Sequence, residues 1–275
     1  CPDAPTPPCP DAPMLRRPHA PTLRRPDAPM PFPKSTMTKP YQNIPIEECQ
    51  EPLIPIPAEE FSFYLPHPYA KLGAPYGDTS PFCLREGVLQ RLQTAQSYLQ
   101  QKHPHWRIQI FDAYRPIAVQ QFMVDHTFVE TAKSRQLHPD SLTSAQRQEI
   151  QSQVEKFWAP PSHNPATPPP HSTGAAVDLT LANENDEPLN LGSPIDEISP
   201  RSYPDYFASS TSPPESHYHQ LRLLLLEVML AAGFQQHPAE WWHFSFGDQM
   251  WAWLTNQESP ANTTVARYGR VEKSL

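Results

Sequence analysis

Apolar residues follow two regimes along the chain. Through residue 38 they show no period, and from Tyr41 onward they recur at helix or strand spacing. Residues 44–57 (IPIEECQEPLIPIP) read as extended chain, because alternating prolines hold their neighbours out of the helical region. A helix is predicted at about 81–101, with Ser80 as cap, Pro81 at the first helical position, and Val88, Leu89, Leu92, Ala95 and Leu99 as one apolar stripe. Residues 107–114 (RIQIFDAY) alternate like a strand, and Arg115-Pro116 opens a helix to about 133. A further helix is predicted over 144–158, capped by Ser144, with Ile150, Val154, Phe157 and Trp158 on one side. After a proline-rich loop at 159–170, residues 175–182 (AAVDLTLA) read as a buried strand. A polar loop at 183–214 leads to a helix over 216–232 that stops at Gly233, a natural C-terminal cap. Residues 240–246 (EWWHFSF) form an aromatic strand, and the last fifteen or so residues read as polar and loose. Helices and strands mix without regular alternation. The expected fold is therefore α+β, with a small, mostly antiparallel sheet flanked by helices.

Composition separates the first 38 residues from the rest. The chain has 38 prolines against 8 glycines, and the repeated unit PDAPMLRR, PHAPTLRR, PDAPM carries many of them at its start. Proline at that density blocks helix and ladder hydrogen bonds, so residues 1–38 are expected to be a disordered tail and 39–275 one folded domain. The chain opens on Cys1, and Met37, just past the repeats, is a candidate start. A net charge of -8 without long basic runs argues against nucleic acid or an anionic membrane as partner. No run approaches the roughly 20 apolar residues of a membrane span. The four cysteines, Cys1, Cys9, Cys49 and Cys83, fall at neither metal-ligand nor disulfide-framework spacing, which suits a reducing, cytoplasmic compartment.

Two segments carry candidate chemistry. In HSTGAAVD (171–178) a histidine sits in a loop mouth and Asp178 lies between Val177 and Leu179 in an apolar strand. Burying that carboxylate is costly unless something compensates it, and a cation is the simplest compensation. Gly174 lets the chain turn so that His171 approaches the same point. The second segment is EWWH (240–243). A Glu and a His three apart can serve one metal, the His as ligand and the Glu as proton carrier for water on it. In a regular strand positions 240 and 243 face opposite ways, so Glu240 must lie at a bend, which Pro238 favours. Each segment alone has a plain structural reading: Asp178 as the partner of an arginine, EWWH as an aromatic core strand. Arg115 likewise reads as a structural partner of Asp112, and Asp196 as a loop-turn residue. His217-x-His219, His103 and His105 lie in polar segments and read as adventitious.

Taken together, HSTGAAVDLTL, EWWHFSF and FDAYRP (111–116) resemble, in order, the zinc signature and arginine motif of the D-alanyl-D-alanine dipeptidase family, over about residues 41–253. The resemblance implies one Zn2+ per chain held by His171, Asp178 and His243. It implies Glu240 as catalytic base and Arg115 facing the tetrahedral intermediate. It further implies that Asp196 meets the free ammonium group of a small dipeptide substrate. In one respect the chain departs from the family: two serines that some members carry before the first histidine are Pro169 and Pro170 here, leaving Ser172 as the nearby hydroxyl for a substrate carboxylate. The expected activity is zinc-dependent hydrolysis of D-alanyl-D-alanine. A D,D-carboxypeptidase acting on longer wall peptides and a non-catalytic zinc-holding module are the alternatives.

Overall fold

Leu53–Pro55 (β1) and Cys83–Arg85 (β3) pair as a two-stranded antiparallel ribbon. A computed structural model describes residues 39–155, 158, 161–197, 199–259 and 263–271. The expectations for the 1–38 tail and for Phe157 lie outside them. The main sheet has five strands in the order β2 (Ser62–Phe63), β4 (Arg107–Asp112), β5 (Ala176–Ala182), β7 (His243–Ser245) and β6 (Gln235–Gln236). Only the β2–β4 pairing is parallel. The α+β expectation with a mostly antiparallel sheet therefore holds.

Every residue of β5 is buried, so both of its faces are covered. One face carries Val177, Leu179 and Leu181. With Ile108 and Ile110 of β4 and Phe244 of β7, these pack under α2 (Glu86–Lys102) and α5 (Pro213–Ala231), burying Val88, Leu92, Leu99, Leu225 and Met229. Each such side chain contributes about 1.5–3 kcal/mol relative to exposure. By alternation Asp178, His243 and Ser245 point to the opposite face. A short helix α1 (Pro68–Lys71) and the pair α3 (Ile117–Ser134) and α4 (Ser144–Val154) follow the chain on either side of β4. Among the described residues no helix is long and apolar enough to cross a membrane.

Several boundaries differ from the sequence reading, each for a local reason. The helix expected from residue 81 starts at Glu86, because Cys83–Arg85 is claimed by β1 as a strand partner and Arg85 stays extended. The cap of α4 is Thr143, not Ser144: its side chain accepts from Gln146 N–H while Gln146 reaches back, a reciprocal capping box. That helix ends at Val154, and Trp158, whose N–H donates to the Val154 carbonyl at 2.9 Å, packs against the Ile150 and Val154 cluster as expected and also on Tyr69 and Arg115. Helix α6 (Gln249–Glu258), capped by Asp248, was not anticipated. Within its described residues the closing segment is not loose. Over 263–271 it returns to the body, where Ala266 pairs with Ile46 and Tyr268 is fully buried, its hydroxyl donating to Glu51 Oε2 at 2.7 Å.

Candidate metal centre and active site

Strand pairing brings the chemistry together. Asp112 on β4 lies opposite Asp178 on β5, and Asp178 lies opposite His243 on β7. His171 joins them from a 3-10 turn, Pro170–Thr173, which Pro169 and Pro170 pre-set and Gly174 closes at φ +69. The positive φ favours glycine, and a Cβ at Gly174 would also stand 2.6 Å from Leu53 Cδ1, which would have to move aside.

The histidine tautomer follows from one carbonyl. His171 Nδ1 donates to the Ala113 carbonyl at 2.7 Å, which leaves the Nε2 lone pair facing Asp178 Oδ2 at 3.2 Å. His243 Nδ1 stands 2.9 Å from Asp178 Oδ1. The three ligand atoms lie within 4.8 Å of one another, and all three residues are buried. A neutral imidazole lone pair against a carboxylate oxygen is repulsive unless a proton or a cation lies between them. Two imidazole nitrogens and one carboxylate oxygen form a common donor set for catalytic zinc, so the residues present fit that ion. Burial alone would raise the Asp178 pKa, but His171 and His243 outweigh it and hold the carboxyl well below its ordinary range. His243 is shifted up despite burial, chiefly by its bond to Asp178.

Arg115 follows β4 and is buried beside this group. Its Nε donates to Asp112 Oδ2 at 2.8 Å, Nη1 to Gln120 Oε1 at 2.9 Å, and Nη2 reaches Asp178 Oδ2 at 3.4 Å. The structural reading of Arg115 as the partner of Asp112 is met, and its guanidinium also lies beside Asp178. Asp112, fully buried, is braced from its other oxygen by His67 Nε2 and the Tyr76 hydroxyl, each at 3.1 Å. The rings of Tyr69 and Trp158 flank the Arg115 guanidinium.

Asp196 enters from the loop before α5, with φ +63. Its Oδ2 accepts from the Tyr69 hydroxyl at 2.5 Å, and the same hydroxyl lies 3.4 Å from Arg115 Nη2. Burial first, then repulsion from Asp178, pushes its carboxyl up to about 7. Glu240 sits in the bend after Pro238, as the strand geometry required, with Oε2 3.8 Å from His243 Nδ1 and a side chain 39% exposed. It is thus a carboxylate on the open side of the group. Ser172 is buried and donates its hydroxyl to the Pro169 carbonyl at 2.7 Å, so that donor is committed within the turn.

Sequence reasoning missed Tyr69, His67, Tyr76 and Gln120, which hold Arg115, Asp112 and Asp196 in place. Nothing in their spacing distinguishes them from core or surface residues. The segment around HPY at 67–69 gave no periodic signal.

A family model described as D-ala-D-ala dipeptidase matches residues 64–263, a span that takes in Arg115, His171, Asp178, Asp196, Glu240 and His243. A D-alanyl-D-alanine dipeptidase of Synechocystis sp. is 51% identical over 245 residues, covering 86% of this chain and 98% of the relative. The enzyme of that name from Escherichia coli is 39% identical over 74 residues, 27% of this chain and 36% of the relative. Its Enterococcus faecalis counterpart is 34% identical over 80 residues, 29% of this chain and 37% of the relative. With the family model matched across the folded region and the Synechocystis relative along nearly its whole length, the chain belongs to the D-ala-D-ala dipeptidase family of peptidases.

Proposed function

We propose that residues 39–275 form a zinc metallopeptidase domain that hydrolyses free D-alanyl-D-alanine to two D-alanines. The observation that carries this is the convergence of His171 Nε2, Asp178 and His243 Nδ1 within 4.8 Å, with Glu240 at its open edge. A zinc ion held by these three residues supplies Lewis acidity toward water and toward the scissile carbonyl. Glu240 accepts the proton of the attacking water and delivers it to the leaving amine. Arg115, fixed by Asp112 and Gln120, keeps positive charge beside Asp178, where the carbonyl oxygen becomes negative. Asp196, held by Tyr69, pairs with the substrate's ammonium group, a charge-assisted contact that an acylated amine cannot make. With Pro169 and Pro170 offering no N–H and the Ser172 hydroxyl donated to Pro169, recognition of the substrate carboxylate differs from the serine-based arrangement of some relatives. The free Cys49 and Cys83 suit work in a reducing cytoplasm on a small free dipeptide.

The test compares D-Ala-D-Ala, L-Ala-L-Ala and N-acetyl-D-Ala-D-Ala on zinc-loaded protein, reading amino-acid release. Release from the free D,D-dipeptide alone is the expected result. Cleavage of the acetylated substrate at a comparable rate would replace the dipeptidase reading with a D,D-carboxypeptidase. Turnover of none of the three, with zinc bound, would contradict both.

A further inference from the structure

Behind the metal group lies a set of buried polar atoms that the proposed reaction leaves unused. His243 Nε2, Ser245 Oγ and Asp248 Oδ2 are all inaccessible to solvent, and none has a partner aligned for a hydrogen bond. Three such orphans within six residues are unusual, because an unpaired buried polar group costs about 1–3 kcal/mol. They are also close in space. His243 and Ser245 are two apart on β7 and so share the face opposite the apolar core. Asp248 follows one tight turn later, where Gly247 at φ +85 passes so close to Tyr268 that a Cβ would stand 2.6 Å from its ring. Asp248 Oδ1 is fixed by the Trp251 N–H at 2.8 Å, which leaves Oδ2 free. His243 and Asp248 act on one another electrostatically, and Ser245 offsets part of the rise that burial imposes on the Asp248 carboxyl.

The three atoms complement one another in donors and acceptors. His243 presents Nδ1 to the metal group, so as a neutral ligand it must carry its proton on Nε2. That N–H needs an acceptor, a hydroxyl both accepts and donates, and a carboxylate oxygen only accepts. We infer that Ser245 and Asp248 form a relay that positions His243 as a metal ligand: Nε2–H donates to Ser245 Oγ, and the Ser245 hydroxyl donates to Asp248 Oδ2, directly or through one buried water. The relay fixes the ring orientation, raises the basicity of Nδ1, and ties the metal centre to the start of α6. Gln249 Oε1 is a fourth unpartnered acceptor nearby in sequence. It is neutral, and its amide nitrogen is anchored to the Ile44 and Ala166 carbonyls.

The inference rests on the metal-site reading. The test is therefore zinc affinity, measured by competition with a chromogenic chelator, together with the visible spectrum of the cobalt(II)-substituted protein. Asp248→Asn keeps a helix-capping oxygen for Trp251 but turns a donor toward the relay. Ser245→Ala removes the middle member, and Ser245→Thr restores a hydroxyl. Asp248→Asn and Ser245→Ala are expected to weaken zinc binding roughly 10- to 100-fold and to shift the cobalt bands. Metal-free melting should change little, and Ser245→Thr should recover most of the affinity. Parent-like zinc affinity in both weakened variants would overturn the relay, as would losses that merely track a lowered metal-free melting temperature. A parent protein that binds no zinc in the same titration would overturn the metal-site reading and the relay with it.

Discussion

Replacing Asp112 by asparagine removes one charge and converts one acceptor into a donor in a place where every neighbour donates. Asp112 Oδ1 accepts from His67 Nε2 and Tyr76 Oη, and Oδ2 meets Arg115 Nε at 2.8 Å and Nη2 at 2.7 Å. Whichever way the amide is turned, its NH2 group confronts two donors, so two contacts are lost. Hydrogen bonds to charged groups are worth about 1.5–3 kcal/mol each, which gives a loss of about 3–6 kcal/mol. Breaking a buried ion pair by removing one partner gives a similar figure, about 3–5 kcal/mol. For a domain of this size each kcal/mol moves the melting temperature by roughly 2–4 °C, so the variant should melt at least about 6 °C lower. The loss should also depend on pH. Burial would raise the Asp112 pKa, but Arg115 leads the groups that lower it below its ordinary value of 3.8. A depressed carboxylate stabilises the fold above its unfolded pKa and loses that contribution as pH falls through the folded one. The gap between parent and variant should therefore be full at pH 7 and narrow below about pH 4. Thermal denaturation followed by circular dichroism, on metal-free protein across that range, measures it. A variant melting within about 2 °C of the parent at pH 7 would refute the view that Asp112 anchors Arg115.

Three further perturbations probe separate parts of the site. Glu240→Gln should retain zinc, read as metal content, while kcat falls roughly 100- to 10,000-fold, because the amide no longer carries a proton. Asp196, raised to about 7, is protonated and neutral at lower pH, so kcat/KM for the free dipeptide should fall as pH drops through this region. A bound cation cancelling the Asp178 charge moves the inflection below 7, and Asp196→Asn should give a lower profile without that inflection. Gly174→Ala must adopt φ +69 and place a Cβ 2.6 Å from Leu53 Cδ1. A left-handed backbone costs about 1–2 kcal/mol and overpacking about 1–3 kcal/mol, so melting should drop by several degrees, and zinc affinity should fall with the displaced His171.

The candidate site was legible in the sequence where a residue broke a local rule. Asp178 is a charge inside an apolar strand, and Glu240 and His243 sit out of phase unless the chain bends, which it does after Pro238. The core was legible where periodicity was sustained, as in α2, α5 and β5. Elsewhere tertiary pairing decided. Cys83–Arg85 reads as the first turn of a helix until Leu53–Pro55 claims it, and Ser62–Phe63 and Gln235–Gln236 are too short to carry a period. The final segment looked loose because its one large anchor, Tyr268, is a single residue in a polar run, and only its pocket beside Gly247 and Glu51 shows why it stays. Tyr69 gains its meaning from Asp196, 127 positions away, and His67 and Tyr76 gain theirs from Asp112, 45 and 36 positions away, which no local pattern encodes.

The central claim is that His171, Asp178 and His243 hold one catalytic zinc. The direct measurement is D-alanine release from D-Ala-D-Ala by protein stripped with chelator and titrated back with zinc, beside His243→Ala treated identically. Activity should vanish on stripping and return in proportion to zinc, saturating at one ion per parent chain, while His243→Ala should neither bind the ion tightly nor recover activity. Undiminished hydrolysis by metal-free parent, or full recovery by His243→Ala, would contradict the account.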